Sequence, residues 1–102
     1  MPNPYHSHLQ RSLRYIEENL LSDLSLEDCA KAAGYSAYHF HRVFRMVLGV
    51  TPGEYIQRRR LAIAADLMAS SGMNLDSVAE ASGFSCKEVL IRAFRREHGI
   101  SP

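Results

Sequence analysis

The sequence lacks most of the features that would place a chain of 102 residues quickly. No stretch without a charge is long enough to cross a bilayer, and no basic region followed by an apolar run stands near Met1, so neither a transmembrane segment nor a secretion signal is read here. With two cysteines, Cys29 and Cys86, and no CxxC spacing, a disulfide framework is excluded. The pair suits a reducing cytoplasm, with Cys29 expected to be buried. There is no block of like charge and no low-complexity run, which argues against disorder. A net charge of +1 neither predicts nor excludes a polyanionic partner.

What is present is a repeated word. "GYSAYHFHRVFRMVLGVTP", from Gly34 to Pro52, returns as "GFSCKEVLIRAFRREHGISP", from Gly83 to Pro102. Both open Gly-aromatic-Ser, carry Arg-x-Phe-Arg, and close Gly-aliphatic-(Thr/Ser)-Pro. Positive charge follows the two words. From Tyr38 to Arg60 the basic side chains are Arg42, Arg45, Arg58, Arg59 and Arg60, against the single acid Glu54. In the second copy Lys87, Arg92, Arg95 and Arg96 face Glu88 and Glu97, while acids gather at Glu17, Glu18, Asp23, Glu27 and Asp28. One basic run is ordinarily a solvated face, but two at matching places in a repeat weigh against that reading.

The punctuation predicts helices throughout. Leu9, Leu13, Ile16 and Leu20 have helical spacing over His6 to Leu21, after a tail marked by Pro2 and Pro4. Ser25-Leu26-Glu27-Asp28 starts a short helix that Gly34 stops, and Ser36 caps a third over Ala37 to Leu48. Thr51-Pro52-Gly53-Glu54 opens a long helix reaching Ser70, with Ile56, Leu61, Ile63, Ala64, Leu67 and Met68 apolar. The cycle then restarts. Asn74 caps a short helix ending at Gly83, and Ser85-Cys86-Lys87-Glu88 opens another ending near His98. No stretch alternates as a strand does, so the fold class is all-α, with each copy a short helix, a tight turn and a longer helix.

In the longer helices Phe40, Val43, Phe44 and Val47 form one apolar stripe, and Val89 or Leu90 with Ala93 and Phe94 the other. Tyr38, His41, Arg42 and Arg45 fall on the outer side of the first. Lys87, Glu88, Ile91, Arg92 and Arg95 do so in the second. Such a face suits a major groove, where Arg bonds guanine O6 and N7 and Tyr or Ile lies against a thymine methyl. Other readings stay open for several residues. Arg42 and Arg92 could serve as surface ion-pair partners, Glu88 as a capping-box residue after Ser85, and Tyr38 as packing beside the turn. Arg58, Arg59 and Arg60 read as a solvated face, with contact of one of them to a phosphate left open. His39 and His41 point to different sides of the helix with no ligand at metal spacing, and no catalytic constellation can be placed in a cleft. No metal, cofactor or enzymatic chemistry is therefore assigned.

At this point the chain resembles the DNA-binding domain of AraC/XylS-type bacterial transcription regulators. The resemblance runs from about His8 to Pro102. It rests on "LSLEDCAKAAGYSAYHFHRVFRMVLGVTPGEYIQRRRLAIAADLM" and "LDSVAEASGFSCKEVLIRAFRREHGISP". It implies two helix-turn-helix lobes, residues 6–50 and 72–102, joined by a linker helix within 51–71. Tyr38, His41 and Arg42 would then read bases in one groove, and Lys87, Glu88, Ile91 and Arg92 in the next. The implied DNA-binding set is completed by Ser36, Ala37 and Arg45 in the first copy and Ser85, Arg95 and Arg96 in the second. A helix from Pro52 to Ser70 would be about 28 Å long, the right size for readers about 34 Å apart. The resemblance also implies a cytoplasmic monomer on double-stranded DNA, activation through RNA polymerase, and no cofactor. Because Ser101-Pro102 repeats the helix opening of Thr51-Pro52, a closing helix and a C-terminal effector-sensing domain are expected beyond Pro102. The rival reading is a helical adaptor that binds a polymerase subunit or another regulator.

Overall fold

The computed structural model describes residues 3–100 and 102; the expected tail residue Pro2 and the Ser101 cap lie outside them. Among the described residues six helices follow one another: α1 (His6–Glu18), α2 (Leu26–Ala33), α3 (Ala37–Leu48), α4 (Pro52–Ser70), α5 (Leu75–Ala81) and α6 (Lys87–His98). There is no strand among the described residues.

The caps do what their chemistry allows. Ser25 Oγ accepts from Asp28 N (3.0 Å), Ser36 Oγ from His39 N (3.2 Å), Thr51 Oγ1 from Glu54 N (3.1 Å) and Asn74 Oδ1 from Ser77 N (2.9 Å). Each satisfies an amide that the first helical turn leaves without a partner. Gly34 ends α2 in the left-handed region (φ 79°), which is costly for any residue with a Cβ. Its N–H reaches Lys31 O (2.9 Å), and that of Tyr35 reaches Ala30 O (3.0 Å). The same turn recurs at Gly83 (φ 90°), with Phe84 N bonded to Ala79 O at 2.9 Å.

Two helix ends differ from the sequence expectation. α1 stops at Glu18 rather than Leu21, because Asn19 turns its side-chain amide back to the Tyr15 carbonyl (2.9 Å) and leaves the helical path. Leu20 is nonetheless buried, so the apolar spacing was right while the helix was not. α5 stops at Ala81, with the buried Ser82 as its C-cap; its hydroxyl donates to the Val78 carbonyl (2.6 Å).

The chain divides into two compact units, Met1–Ile56 and Gln57–Pro102. In the first, α1 packs on α2 and α2 on α3. Leu9, Ile16, Leu20, Cys29, Ala30, Ala33, Phe40, Val43, Phe44 and Ile56 are buried there. Phe44 meets Phe40 and Tyr55 edge-on, at centroid distances of 5.4 and 5.7 Å. Burying each such side chain contributes about 1.5–3 kcal/mol, which makes these residues the main support of α3. His8 Nδ1 donates to the last carbonyl of α2, Ala33 O, at 2.9 Å, and the His8 ring stacks on Tyr35 (5.0 Å). The second unit closes around Leu61, Ala64, Val78, Ala79, Leu90 and Ala93, with Leu67, Met68, Leu75, Phe84 and Phe94 partly buried against them. α4 therefore contributes to both units: Ile56 belongs to the first, Leu61 and Ala64 to the second.

Candidate nucleic-acid interface

The buried faces of α3 and α6 decide what their other faces present. In α3 the core takes Phe40, Val43 and Phe44, which leaves Tyr38, His41, Arg42 and Arg45 exposed; Tyr38 keeps 74% of its surface. In α6 the core takes Leu90 and Ala93, so the choice between Val89 and Leu90 falls to Leu90, and Val89 is exposed. Glu88, Arg92, Arg95 and Arg96 are exposed, while Lys87 and Ile91 are half-buried. Within each unit the expected residues share one helix face. Ser36 is engaged as the cap of α3, with Ala37 opening the helix.

The second turn holds one residue more than the first. Tyr35 and Ser36 separate Gly34 from the start of α3 at Ala37, whereas Phe84, Ser85 and Cys86 separate Gly83 from Lys87. This overturns the expected cap of α6. The N-cap is Cys86, not Ser85, and its side chain accepts no capping hydrogen bond. A capping box between Ser85 and Glu88 is excluded with it. The insertion also sets the register. Glu88 stands where Tyr38 does, Ile91 where His41 does, Arg92 and Arg95 where Arg42 and Arg45 do, and Arg96 where Met46 does.

Two electrostatic details shape the α6 face. The Glu88 carboxyl is held below the usual value of 4.5 by its own backbone N–H, then by the Cys86 thiol, which stabilise its ionised form at the start of the helix. Lys87 Nζ lies 3.9 Å from Asp76 Oδ2 on α5. An exposed pair of this kind is worth about 0–1 kcal/mol, so it holds Lys87 only loosely.

Of the three arginines of α4, Arg58 is exposed as a solvated face requires, whereas Arg59 and Arg60 are not. Arg58 Nε is 3.2 Å from Glu97 Oε1, and Arg59 and Arg60 are half-buried and engaged with partners of their own. The two histidines differ less than their spacing suggested: His39 lies against Tyr35 (centroids 4.6 Å apart), but both His39 and His41 are exposed and line the same open groove. Among the described residues no group of three or more His, Cys, Asp or Glu side chains could hold a metal ion. No helix among them is long and apolar enough to cross a membrane.

Sequence reasoning missed two residues on the α3 face. An open groove there is lined by Tyr5, Tyr38, His41, Arg42, Arg45 and Met46, among others. Met46, 64% exposed, follows Arg42 by one turn and was legible from helical periodicity. Tyr5 precedes α1 and reaches this groove only through the fold, so no local signal marks it.

The comparisons with known proteins bear on this arrangement directly. Residues 29–102 match the family model described as a helix-turn-helix domain. The HTH-type transcriptional activator AarP of Providencia stuartii is 38% identical over 90 residues, covering 88% of this chain and 67% of AarP. A transcriptional regulator of Chromobacterium violaceum with an AraC-type DNA-binding domain superposes with a TM-score of 0.85 at 27% identity, covering 95% of this chain and 87% of its own. The DNA-binding domain of the global transcriptional factor AdpA, solved in complex with a target DNA, gives 0.85 at 31% identity, covering 92% and 85%. The chain spans about a third of the length of some curated relatives it matches and about two thirds of others. With the doubled helix-turn-helix, its repeated motif and these likenesses together, the chain belongs to the AraC/XylS-type family of helix-turn-helix transcription regulators.

Proposed function

We propose that this chain binds double-stranded DNA sequence-specifically and activates transcription, placing α3 and α6 in successive major grooves. The observation that carries the reading is the doubled outer face. Two helices of equal length each bury an apolar side and expose one that carries arginines at matching places, Arg42 with Arg92 and Arg45 with Arg95. The likeness to AdpA, solved on a target DNA, and to AarP, a transcriptional activator, supports the same reading.

In the first unit Ser36, Ala37, Tyr38, His41, Arg42 and Arg45 meet the duplex; in the second, Ser85, Lys87, Glu88, Ile91, Arg92, Arg95 and Arg96. Arg42 and Arg92 bond base edges, Tyr38 and Ile91 lie against thymine methyls, and Arg45, Arg95 and Arg96 neutralise phosphates. The lobes are residues 6–50 and 72–102, with 51–71 as the linker. RNA polymerase is the protein partner. The role is one of binding without catalysis or cofactor, in a reducing cytoplasm that keeps Cys29 and Cys86 as the free thiols they are.

Other helix-turn-helix proteins obtain two readers by dimerising, whereas this chain carries both. It therefore binds one asymmetric site, about two turns of duplex long, as a monomer. Sedimentation of the complex tests this: one chain per duplex is expected, and a strict two-to-one complex on a palindrome would overturn it. An adaptor would show little affinity for any duplex.

A further inference from the structure

We infer that Tyr38 is a positioning residue, which holds Arg42 ready to discriminate a base pair, and that the second unit has no such device. The inference rests on the proposed reading of α3 as a DNA-facing helix.

Tyr38 and Arg42 lie one turn apart on the outer face of α3, and the guanidinium carbon of Arg42 stands 5.8 Å from the centre of the Tyr38 ring. That is within the reach of a cation over an aromatic face. The hydrophobic effect gives no reason for this ring to point outward, with 74% of its surface exposed. Its neighbour Tyr35 does the packing at the turn, against His8 and His39. No acid pairs with Arg42 among the described residues. The ring is thus the contact that restrains it.

Restraint matters because an arginine gives up rotamer freedom when it docks on a guanine edge. A ring that already supports the guanidinium removes part of that cost. It also favours one approach of the planar fork, which sharpens the preference for the base pair whose acceptors match. In α6 the matching place holds Glu88. Its carboxylate is taken up at the start of its own helix by its backbone N–H and the Cys86 thiol, and no ion pair joins it to Arg92 among the described residues. Among the described residues Arg92 is neither supported by a ring nor tied to an acid. The base pair facing Arg42 is therefore specified more sharply than the one facing Arg92.

A double-mutant cycle decides this, using a duplex selected from a random pool and Kd read by fluorescence polarisation for Y38F, Y38L, R42A and the Y38L/R42A pair. Circular dichroism verifies the helicity of each. Y38F, which keeps the ring, is expected to bind within about twofold of the parent. Y38L is expected to lose about 3- to 30-fold, the range for a cation over an aromatic ring, and to lose clearly less in the R42A background, where only its own groove contact is left to remove. Scanning single base pairs, Y38L and R42A should flatten discrimination at the same position. If R42A binds as the parent does, the DNA-facing reading of Arg42 fails and takes the inference with it. If R42A weakens binding but Y38L costs as much with Arg42 absent, Tyr38 acts only through its own contact with DNA. The reading of α3 would then stand and the positioning role would be wrong. Y38F behaving like Y38L would likewise overturn it, since the ring face is intact.

Discussion

Ser36 and Cys86 hold the same place at the heads of α3 and α6, yet only the Ser36 hydroxyl accepts a capping hydrogen bond, from His39 N at 3.2 Å. A thiol is a weak acceptor, so the first turn of α6 is the less well satisfied of the two. Ser36→Ala should cost about 1 kcal/mol, and Cys86→Ser should add about 0.5–1 kcal/mol by accepting from the Val89 amide. Urea unfolding of both variants checks this. A Cys86→Ser variant less stable than the parent would show that the thiol does more at this cap than fill space.

The two thiols should separate by reactivity. Cys86 is exposed, whereas Cys29 is fully buried, and burial followed by the neighbouring Asp28 pushes its thiol above the ordinary 9.0. One thiol, Cys86, should react quickly with an aromatic disulfide reagent under native conditions, and the second only on unfolding. Mass spectrometry of the labelled peptide identifies the site. Labelling of Cys29 at a comparable rate would mean that the first core opens readily.

Glu88 gives a pH dependence with a definite sign. Its carboxyl is depressed in the folded chain, first by its own backbone amide, so it contributes stability above the unfolded value of 4.5 and loses it as the pH falls through the folded value. Glu88→Gln should therefore lower Tm at pH 7 and leave it unchanged once both forms are uncharged, near pH 2. A difference of equal size at the two pH values would show that ionisation is not its source.

Much of the fold was written locally. Ser25, Ser36, Thr51 and Asn74 announced their helices, and Gly34, Gly49 and Gly99 their ends, because capping needs only the hydroxyl, amide or missing Cβ at one position. Of the expected apolar residues of α3, Phe40, Val43 and Phe44 are buried and Val47 is half-buried. What failed depended on competition between neighbours. Asn19 captured the Tyr15 carbonyl and ended α1 early, and the inserted residue after Gly83 moved the cap from Ser85 to Cys86. Matching the two words by their Gly-aromatic-Ser openings hid that insertion, whereas matching Arg-x-Phe-Arg would have exposed it. The pairing of Arg58 with Glu97 and the approach of Tyr5 to the α3 groove are long-range events, with no trace in local spacing.

The matched arginines should behave alike in kind. Arg42→Ala or Arg92→Ala is expected to cost about 1–3 kcal/mol of specific binding with helicity unchanged, since both side chains are exposed and support no core residue. The loss should be concentrated at one base pair for each. Unchanged affinity in both variants would remove these residues from the interface.

The most direct test of the account is the affinity of this chain for a selected duplex and for a scrambled one, each measured at 50 and 200 mM salt. Sequence-specific binding through base edges and phosphates predicts a clear preference for the selected duplex at both concentrations. It also predicts a fall in affinity of about 40-fold between them, the drop for about three neutralised phosphates. Equal, weak and salt-insensitive binding to both duplexes would contradict it and leave the adaptor reading in its place.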